Sequence, residues 1–390
     1  MGLQSAFNIF IVLTAVLGGF WQFYLQPKLV LYGQYRIIEP INNKECATVP
    51  ELSACEKLVL HRPSGIVYLA CSSPSSRTHW TPAATRLNAT GASFSDYIAT
   101  YDPRSSKVTR LKMTNFNSER GFSAHGMDIV PSATGADELY VYLVNHRAPL
   151  GASAFDVGAD SAIEIFRTAL GSDTLTHLQT VEDSIIVTPN DVVGESDGKG
   201  FYFTNDYAEK VSWKRHLDAS VGRKSSSVGY CHVADGCHLA ITNLHGSNGI
   251  AMAENRTFYV ANAINGGVTI LEEQMDHTLV MTDVISIDRG IDNLSVDSEG
   301  HVWAASFPKA LKLFFTYLND PTIPAPSSVH RFSINTNPKE IPYGIKYKAD
   351  KVFEDEGPVA SGATSAAYDT ERKLLFISGL ASPHLTVCKM

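Results

Sequence analysis

Six short, β-rich runs of similar composition recur along the chain, and this repeat restricts the fold more than any other feature. Each run places an aromatic residue among apolar residues and then turns small or polar: IVYLACSS (66–73), LYVYLVNH (139–146), GFYFTNDY (200–207), TFYVANAI (257–264), HVWAASFP (301–308) and LLFISGLA (374–381). Several are followed by another segment that we interpret as the next strand: AIEIFRTA (162–169), GVTILEEQ (267–274) and LKLFFTYL (311–318). Strand–turn–strand units at intervals of roughly 45–75 residues are typical of propeller blades. Since two packed sheets would accommodate six such units poorly, we predict an all-β fold, a six-bladed β-propeller with an N-terminal hydrophobic helix.

Charge and composition narrow the class of protein. The 390 residues carry a formal net charge of −8, and Lys and Arg form no run. This balance argues against a nucleic-acid-binding surface. No low-complexity tract or long Pro/Gly linker divides the chain, so we expect one propeller domain over residues 41–390. Residues 1–40 form a separate N-terminal region.

The N-terminal region is dominated by an uncharged apolar stretch, residues 6–25 (AFNIFIVLTAVLGGFWQFYL). Its length is about that of a bilayer-spanning helix, and Trp21 and Tyr24 lie where interfacial aromatic residues are common. A positive n-region and an A-x-A cleavage site are both missing, which favours an uncleaved signal-anchor over a cleaved signal peptide. Both alternatives place the propeller in the secretory pathway, either extracellular or membrane-anchored, and make contact with a membrane or lipid surface an expectation.

Six cysteines agree with an oxidising compartment. A bond between Cys46 and Cys388 would tie the two ends of the propeller together. Cys231 and Cys237, each next to a histidine, could close a short disulfide loop or bind zinc; a secreted chain without a second Cys pair favours the disulfide. The sequence leaves the state of the remaining two cysteines open: Cys55 and Cys71.

Three N-x-[ST] sequons are present. Asn88 and Asn255 are candidate glycosylation sites. Asn293 also matches the pattern, but its position just before a recurring run predicts that it lies inside the protein.

Polar residues cluster just before the recurring runs, where the innermost strand of each blade begins. Four of the six upstream segments carry Glu, Asp or Asn at that point, and a fifth carries His125. All innermost strands of a propeller run in the same direction beside the central axis, so their first residues meet at one end of the tunnel. The residues directed at this common space are Glu56, Asn190, Asp191, Asn248, Asp292 and Asn293.

This set consists of hard oxygen ligands with no arginine to balance the carboxylates. Buried carboxylates without a cationic partner are costly, so a bound cation is expected. Calcium accepts about 6–8 oxygens in loose geometry, which suits ligands gathered from separate blades better than the tight octahedron of magnesium. The sequence therefore predicts a calcium site at the mouth of the tunnel.

At these residues the chain resembles the paraoxonase/arylesterase family, which consists of calcium-dependent lactonases and aryl-esterases with a six-bladed propeller. The similarity runs from about Cys46 to Cys388. The matching segments are AHGM (124–127), LVNH (143–146), PND (189–191), FYFTND (201–206), SNGI (247–250) and IDNLSVD (291–297).

The resemblance implies an activity and a role for each matching residue. The activity is hydrolysis of a small-molecule ester or lactone, with His125 as general base and His146 as the histidine that orients it or relays its proton. Cys46 and Cys388 match the family's terminal disulfide. A catalytic calcium ion would be held by Glu56, Asn190, Asn248, Asp292 and Asn293. A second, structural calcium ion would be held by Asp191 and the backbone carbonyl of Met127.

The sequence departs from the family at several positions. Lys57 stands where the family commonly has a second acidic residue, and our hypothesis is that its ammonium group takes the second cation's place and pairs with Asp191. Ser306-Phe307-Pro308 replaces Cys-His-Pro of animal members, and Tyr207 replaces a histidine. Substrate preference therefore cannot be carried across.

Two other functions fit the same architecture. One is a sugar-lactone hydrolase-like propeller enzyme, which the AHGM and LVNH segments disfavour. The other is a non-catalytic luminal propeller that keeps calcium for folding and binds a lipid or protein partner. Within the hydrolase, Glu56 or Asp292 are alternatives to His125 as base or nucleophile.

Overall fold

The strands form the predicted six-bladed β-propeller. The structure is a computed structural model and describes residues 3–116, 119–337, 344 and 346–390. Six antiparallel sheets of four principal strands surround a central tunnel, and each sheet is one blade. The sequence-based fold class is therefore confirmed, including the N-terminal apolar helix.

Every blade runs from an innermost strand beside the tunnel to an outermost strand at the surface, and its strands follow in that order. Blade 1 contains Cys55–His61, Ile66–Cys71, Tyr97–Asp102 and Lys107–Arg110. Blade 2 contains Ala124–Ser132, Gly135–Arg147, Asp160–Ala169 and Thr174–Val181, with Lys112–Thr114 parallel at its outer edge. Blade 3 contains Pro189–Gly194, Gly200–Asn205, Ser226–His232 and Gly236–Leu244. Blade 4 contains Ser247–Met252, Thr257–Asn262, Val268–Glu273 and Leu279–Ile285. Blade 5 contains Ile291–Val296, Val302–Ser306, Ser327–Ile334 and Tyr347–Asp355. Blade 6 contains Ser365–Asp369, Leu374–Ser378, Leu385–Lys389 and Cys46–Val49.

The remaining elements are short, apart from the N-terminal helix. Trp80–Thr81 and Arg86–Leu87 form a separate hairpin. The α-helices are Leu3–Phe20, Gln26–Leu31, Pro74–His79, Ala154–Val157, Trp213–Val221 and Ala310–Lys312. The π-helical segments are Trp21–Leu25 and Leu313–Tyr317, and the 3₁₀ turns are Pro82–Ala84 and Ala89–Gly91.

Blade 6 closes the ring by combining the two ends of the propeller. Cys46–Val49 pairs antiparallel with Leu385–Lys389, and Cys46 lies directly opposite Cys388. A disulfide joins these two cysteines, as predicted. Closure places each blade between two neighbours and leaves only short sheet edges, which limits edge-to-edge aggregation.

One predicted strand is a helix. The segment LKLFFTYL (311–318) lies in the helical region Ala310–Lys312 and Leu313–Tyr317, and the third strand of blade 5 is Ser327–Ile334 instead. The prediction was wrong because Leu311, Phe314, Phe315 and Leu318 follow a helical spacing of three to four residues, which a β-rich composition concealed. Leu313 and Tyr317 are buried in a cluster with Phe307 and Leu380 above the tunnel.

The other four cysteines also form disulfides. Cys231 bonds Cys237, which decides in favour of the disulfide over zinc at this loop. Cys55 bonds Cys71, which settles the pair that the sequence left open.

The N-terminal helix is exposed over its apolar length and attached to the propeller near its C-terminal end. Residues Phe7–Leu31 have a mean hydropathy of 1.6, and none of the span's most apolar window is buried. The Tyr24 hydroxyl donates to the Ser220 carbonyl at 2.7 Å, and Lys28 Nζ donates to Asn265 Oδ1 at 3.0 Å. The boundary at residue 40 stays a prediction.

Candidate active site at the tunnel mouth

Each polar residue predicted to face the tunnel lies at a bulge in an innermost strand. In blade 5, Ile291 pairs with Ser306 and Leu294 with Ala304, so three steps in one strand match two in its neighbour. The same extra residue occurs in blades 1 to 4. The bulges contain Glu56, His125-Gly126, Asn190-Asp191, Asn248-Gly249 and Asp292-Asn293. Because a bulge turns a side chain out of the regular alternation, it directs these residues to the tunnel.

Glycine allows the bulges to approach one another closely. A Cβ atom on Gly126 would lie 2.4 Å from the Asp191 Cα of the next blade. A Cβ atom on Gly249 would lie 2.5 Å from the Asn293 Cα. The ring is therefore too tight for any larger residue at these two positions.

The side chains of the ring contact each other across blades. Asn293 Nδ2 donates to Glu56 Oε1 at 2.6 Å, and the Asn248 side chain hydrogen-bonds to the Asp292 carboxylate. Thr364 of blade 6, which the sequence analysis missed, donates its hydroxyl to the Glu56 carbonyl at 2.8 Å. Hydrogen bonds in the ring thus join residues that are up to 308 positions apart in the sequence.

Several buried oxygen atoms in the ring receive no hydrogen bond from the described residues. They belong to one carboxylate and three carboxamides: Glu56 Oε2, Asn190 Oδ1, Asn248 Oδ1 and Asn293 Oδ1. Buried polar atoms are rarely left without a partner because their desolvation is costly. Four acceptors from four blades with no donor are what a cation-binding site presents.

The chemistry of the donors favours a hard cation. In the described part of the chain no three His, Cys, Asp or Glu side chains cluster as metal ligands. The ring instead combines two carboxylates, Glu56 and Asp292, with three asparagine carboxamides. An all-oxygen set of this kind suits calcium and does not suit zinc or copper.

Each of the two carboxylates of the ring disfavours ionisation of the other when no cation lies between them. Burial raises the pKa of Glu56, although the Asn293 hydrogen bond and the Lys57 charge oppose the rise. Burial raises the pKa of Asp292 well above its usual range, and the Glu56 charge raises it further. A divalent cation between them would remove this repulsion.

His125 and His146 lie together beside the ring, as the antiparallel pairing of their strands predicted. Their ring centroids are 5.0 Å apart, and His125 Nε2 is 4.0 Å from Glu56 Oε1. His146 Nδ1 lies 2.8 Å from Ser161 Oγ. His125 Nδ1 and His146 Nε2 have no partner among the described residues.

Both imidazoles are neutral near pH 7. Burial lowers the pKa of His125 to about 3, and the charges of Arg77 and Lys57 act in the same direction. Burial also lowers the pKa of His146 well below its usual value. A neutral imidazole can accept a proton, which a general base requires.

An arginine and an aspartate that the sequence analysis missed hold the backbone next to His125. Arg77 Nη2 donates to the Ala124 carbonyl at 2.7 Å, and the Ala124 amide donates to Asp96 Oδ2 at 3.0 Å. Arg77 and Asp96 are buried, 3.6 Å apart, and both come from the insertion within blade 1. No local motif marks them, because their contact partner is 28 or more residues away.

The predicted partner of Asp191 is present below the ring. Lys57 Nζ lies 2.5 Å from Asp191 Oδ2, and both side chains are almost fully buried. Met127, the other residue assigned to a second calcium ion, is also buried. Neither Asp191 nor Met127 lines the cavity above the ring.

A cavity of about 760 Å³ opens above the ring. Glu56, His125, Asn190, Asn248 and Asp292 form its floor. Its walls and roof are mainly apolar and include Tyr32, Phe307, Leu311, Phe314, Leu318 and Leu380.

Two of the positions that depart from the family, Tyr207 and Phe307, line the wall of this cavity. The Cζ atom of the Arg215 guanidinium lies over the Tyr207 ring, 4.2 Å from the centroid of that ring. Ser306 is buried, and its hydroxyl lies 2.9 Å from His330 Nδ1. Phe307 lines the cavity directly.

The sequons differ in exposure. Asn255 is exposed, whereas Asn88 is half-buried with its Nδ2 3.1 Å from His79 Nδ1. Asn293 is only 1% exposed, as expected for a residue of the ring. Glycosylation at Asn88 and Asn255 stays a prediction.

Comparison with known proteins agrees with the geometry. A sequence model of the arylesterase family matches residues 38–388. The chain belongs to the arylesterase family. The resemblance carried by the motifs is therefore confirmed, and so is the prediction of an esterase or lactonase enzyme.

Individual relatives of the chain are distant. Serum paraoxonase/arylesterase 2 from Gallus gallus is 26% identical over 281 residues, which cover 72% of each chain. The protein of the same name from Homo sapiens is 25% identical over 266 residues, covering 67% of this chain and 68% of the human one. Among solved structures, a luciferin-regenerating enzyme aligns with 91% of this chain and 95% of its own at 12% identity and a TM-score of 0.49, a distance at which no functional argument follows.

Proposed function

We propose that this member of the arylesterase family is a calcium-dependent hydrolase of lactones and aryl esters. The calcium ligands in this proposal are Glu56, Asn190, Asn248, Asp292 and Asn293. The supporting observation is that four buried side-chain oxygens from four blades receive no hydrogen bond from the described residues. Three of them, on Glu56, Asn190 and Asn248, belong to the floor of a largely apolar cavity, and Asn293 contacts Glu56 beside it. They lie beside a neutral histidine pair, so an electrophilic centre and a base meet at one place.

The residues present fit this ion. A calcium ion bound there would polarise a substrate carbonyl and stabilise the negative charge that develops on its oxygen. The apolar wall, with Phe307, Leu311 and Phe314, binds the organic part of the ester and limits the access of water. The short contact between Asn293 and Glu56 fixes both side chains before substrate arrives.

His125 acts as the general base in this mechanism. It accepts a proton from the water that attacks the carbonyl, and the nearby Glu56 carboxylate stabilises the resulting imidazolium. His146 orients His125 or receives its proton on Nε2, while Ser161 holds Nδ1 of His146. Glu56 and Asp292 remain the alternatives for the base or nucleophile.

The test is hydrolysis of phenyl acetate and a δ-lactone with and without a calcium chelator. We expect the chelator to abolish turnover of both. We expect His125→Gln to lower kcat by roughly 10²–10⁴-fold, the usual contribution of a general base, while bound calcium is retained. His238→Gln, at an exposed histidine far from the cavity, is the matched control and should be fully active.

Two results would contradict parts of the proposal. Full turnover in chelator would remove calcium from the reaction, and a propeller with no hydrolase activity would favour the luminal binding protein. Wild-type kcat in His125→Gln would assign the proton transfer to Glu56 or Asp292 instead.

We also propose that the N-terminal helix is an uncleaved signal-anchor and that the propeller lies in the secretory lumen or outside the cell. The exposed apolar span Phe7–Leu31 and the three disulfides support this location. We expect the full chain to require detergent for extraction from membranes. Release by high salt alone would contradict the anchor.

A further inference from the structure

We infer that the Lys57 ammonium group replaces a second, structural calcium ion, so that the folded chain holds one buried calcium ion. This inference rests on the proposed function for the first ion only. The family resemblance implies a second ion at Asp191 and the Met127 carbonyl, but the residues present do not fit it.

The Lys57 ammonium group already binds the Asp191 carboxylate that a second ion would need as a ligand. Lys57 Nζ is 2.5 Å from Asp191 Oδ2 and 3.4 Å from the Leu294 carbonyl oxygen. The same Asp191 oxygen accepts the Ile250 amide at 2.9 Å. A calcium ion in this place would require the ammonium group to leave a compartment in which it is only 3% exposed.

Too few free oxygens remain for a calcium ion. Asp191 Oδ1 is the atom of this carboxylate without a partner among the described residues. Both oxygens of the neighbouring Asp128 carboxylate already accept hydrogen bonds, one from the Ile129 amide at 2.9 Å and the other from the Gly194 amide at 3.0 Å. Calcium requires about 6–8 oxygen ligands, and of these two carboxylates only Asp191 Oδ1 is left without a hydrogen bond among the described residues.

Charge balance gives an independent argument. At the ring, Glu56 and Asp292 together neutralise one divalent ion. Below it, Lys57 pairs with Asp191, and Asp128 adds one further carboxylate. A second divalent ion would add two positive charges beside a buried ammonium group, and like charges at this distance in a medium of low dielectric repel strongly.

The register of blade 1 separates the two compartments. The bulge at Glu56 lies between Cys55, which pairs with Cys71, and Lys57, which pairs with Ala70. Glu56 reaches Asn293 in the ring, and Lys57 reaches Asp191 below it. Consecutive residues thus supply a metal ligand and an internal cation.

The experiment is a count of tightly bound calcium per chain after equilibration with excess calcium and removal of free ion by gel filtration. We expect one ion in the wild type and two in Lys57→Asp, which restores a carboxylate and removes the ammonium group. Lys57→Met is the matched control: it removes the charge without adding a ligand and should bind one ion.

Each outcome bears on the inference. Two ions in the wild type, or one in a folded Lys57→Asp, would overturn it. No ion in the wild type would overturn the proposed calcium site as well, so the two failures are distinguishable. Should Lys57→Asp not fold, the wild-type count decides: two ions would overturn the inference and one would support it. A second ion in Lys57→Met would also support it, because removal of the ammonium group alone would then admit the ion.

Discussion

Asp206 is a buried carboxylate beside the cavity that the proposed mechanism does not use. Burial raises its pKa to about 6, although the Arg215 guanidinium, 3.7 Å away, lowers it. Its ordinary value in an unfolded chain is about 3.9, so the folded state binds the proton more tightly. The stabilisation from this proton is present below about pH 4 and is lost as the pH rises through 6.

Asp206→Asn should remove this pH dependence. From pH 4.5 to 7.5 the free energy of unfolding of the variant, relative to the wild type, should rise by about 2 kcal/mol, because the wild type alone must ionise a buried acid. Urea unfolding of both calcium-loaded proteins measures the difference. The exposed Asp173→Asn variant should show no such change. A constant difference across this range would mean that Asp206 is ionised throughout.

The sequence predicted the ring residues because their type and position carried the signal together. Glu56, Asn248 and Asp292 each precede a recurring run, and the propeller topology brings those starting points together. Arg77 and Asp96 carry no comparable signal. They act through backbone contacts made by an insertion of blade 1, and a single sequence does not show where an insertion folds back.

At the scale of elements, the helix Pro74–His79 links the insertion of blade 1 to the histidine strand of blade 2. Arg77→Met should destabilise the protein by about 3–5 kcal/mol, because it leaves the Asp96 carboxylate buried without its cation. It should also lower kcat, since Ala124 loses the contact that fixes the backbone before His125. The number of bound calcium ions should not change.

Two control variants distinguish an effect of Arg77 on the backbone before His125 from an effect on overall stability. Arg104→Met removes an arginine that is 63% exposed, and both stability and kcat should stay near wild type. Adding Asp96→Asn to Arg77→Met should recover part of the lost stability but not the lost kcat, because the unpaired charge is gone while the backbone contact is still missing. Recovery of stability and kcat to the same extent would show that Arg77 affects kcat only through the stability of the protein.

The element that the sequence misassigned is the one above the cavity. LKLFFTYL has the composition of a strand, and Leu313 and Tyr317 are buried like strand residues. Its apolar residues nevertheless recur every three to four positions, which is the helical signal that the composition concealed, and the helical segment packs against Phe307 and Leu380 from other parts of the chain. The bulges escaped prediction for a different reason, since a one-residue excess is defined only by the neighbouring strand.

At the scale of the whole molecule, the ring of blades is held closed where the first strand of the propeller joins the last. The Cys46–Cys388 disulfide encloses a sequence separation of 342 residues, whereas Cys231–Cys237 encloses 6. In the chain-entropy model, closing the long loop restricts the unfolded state by about 6 kcal/mol and closing the short loop by about 2 kcal/mol.

Replacing Cys46 and Cys388 by serine should therefore lower the free energy of unfolding far more than the same change at Cys231 and Cys237. The Cys46–Cys388 variant should also lose bound calcium at lower chelator concentration. Blade 1, which supplies Glu56, follows Cys46–Val49 directly, and opening of blade 6 would release Thr364 from the Glu56 carbonyl. Denaturant unfolding and calcium titration of both variants measure the two effects. Equal losses from the two pairs would mean that the strand pairing of blade 6, and not the disulfide, keeps the ring and its calcium ligands together.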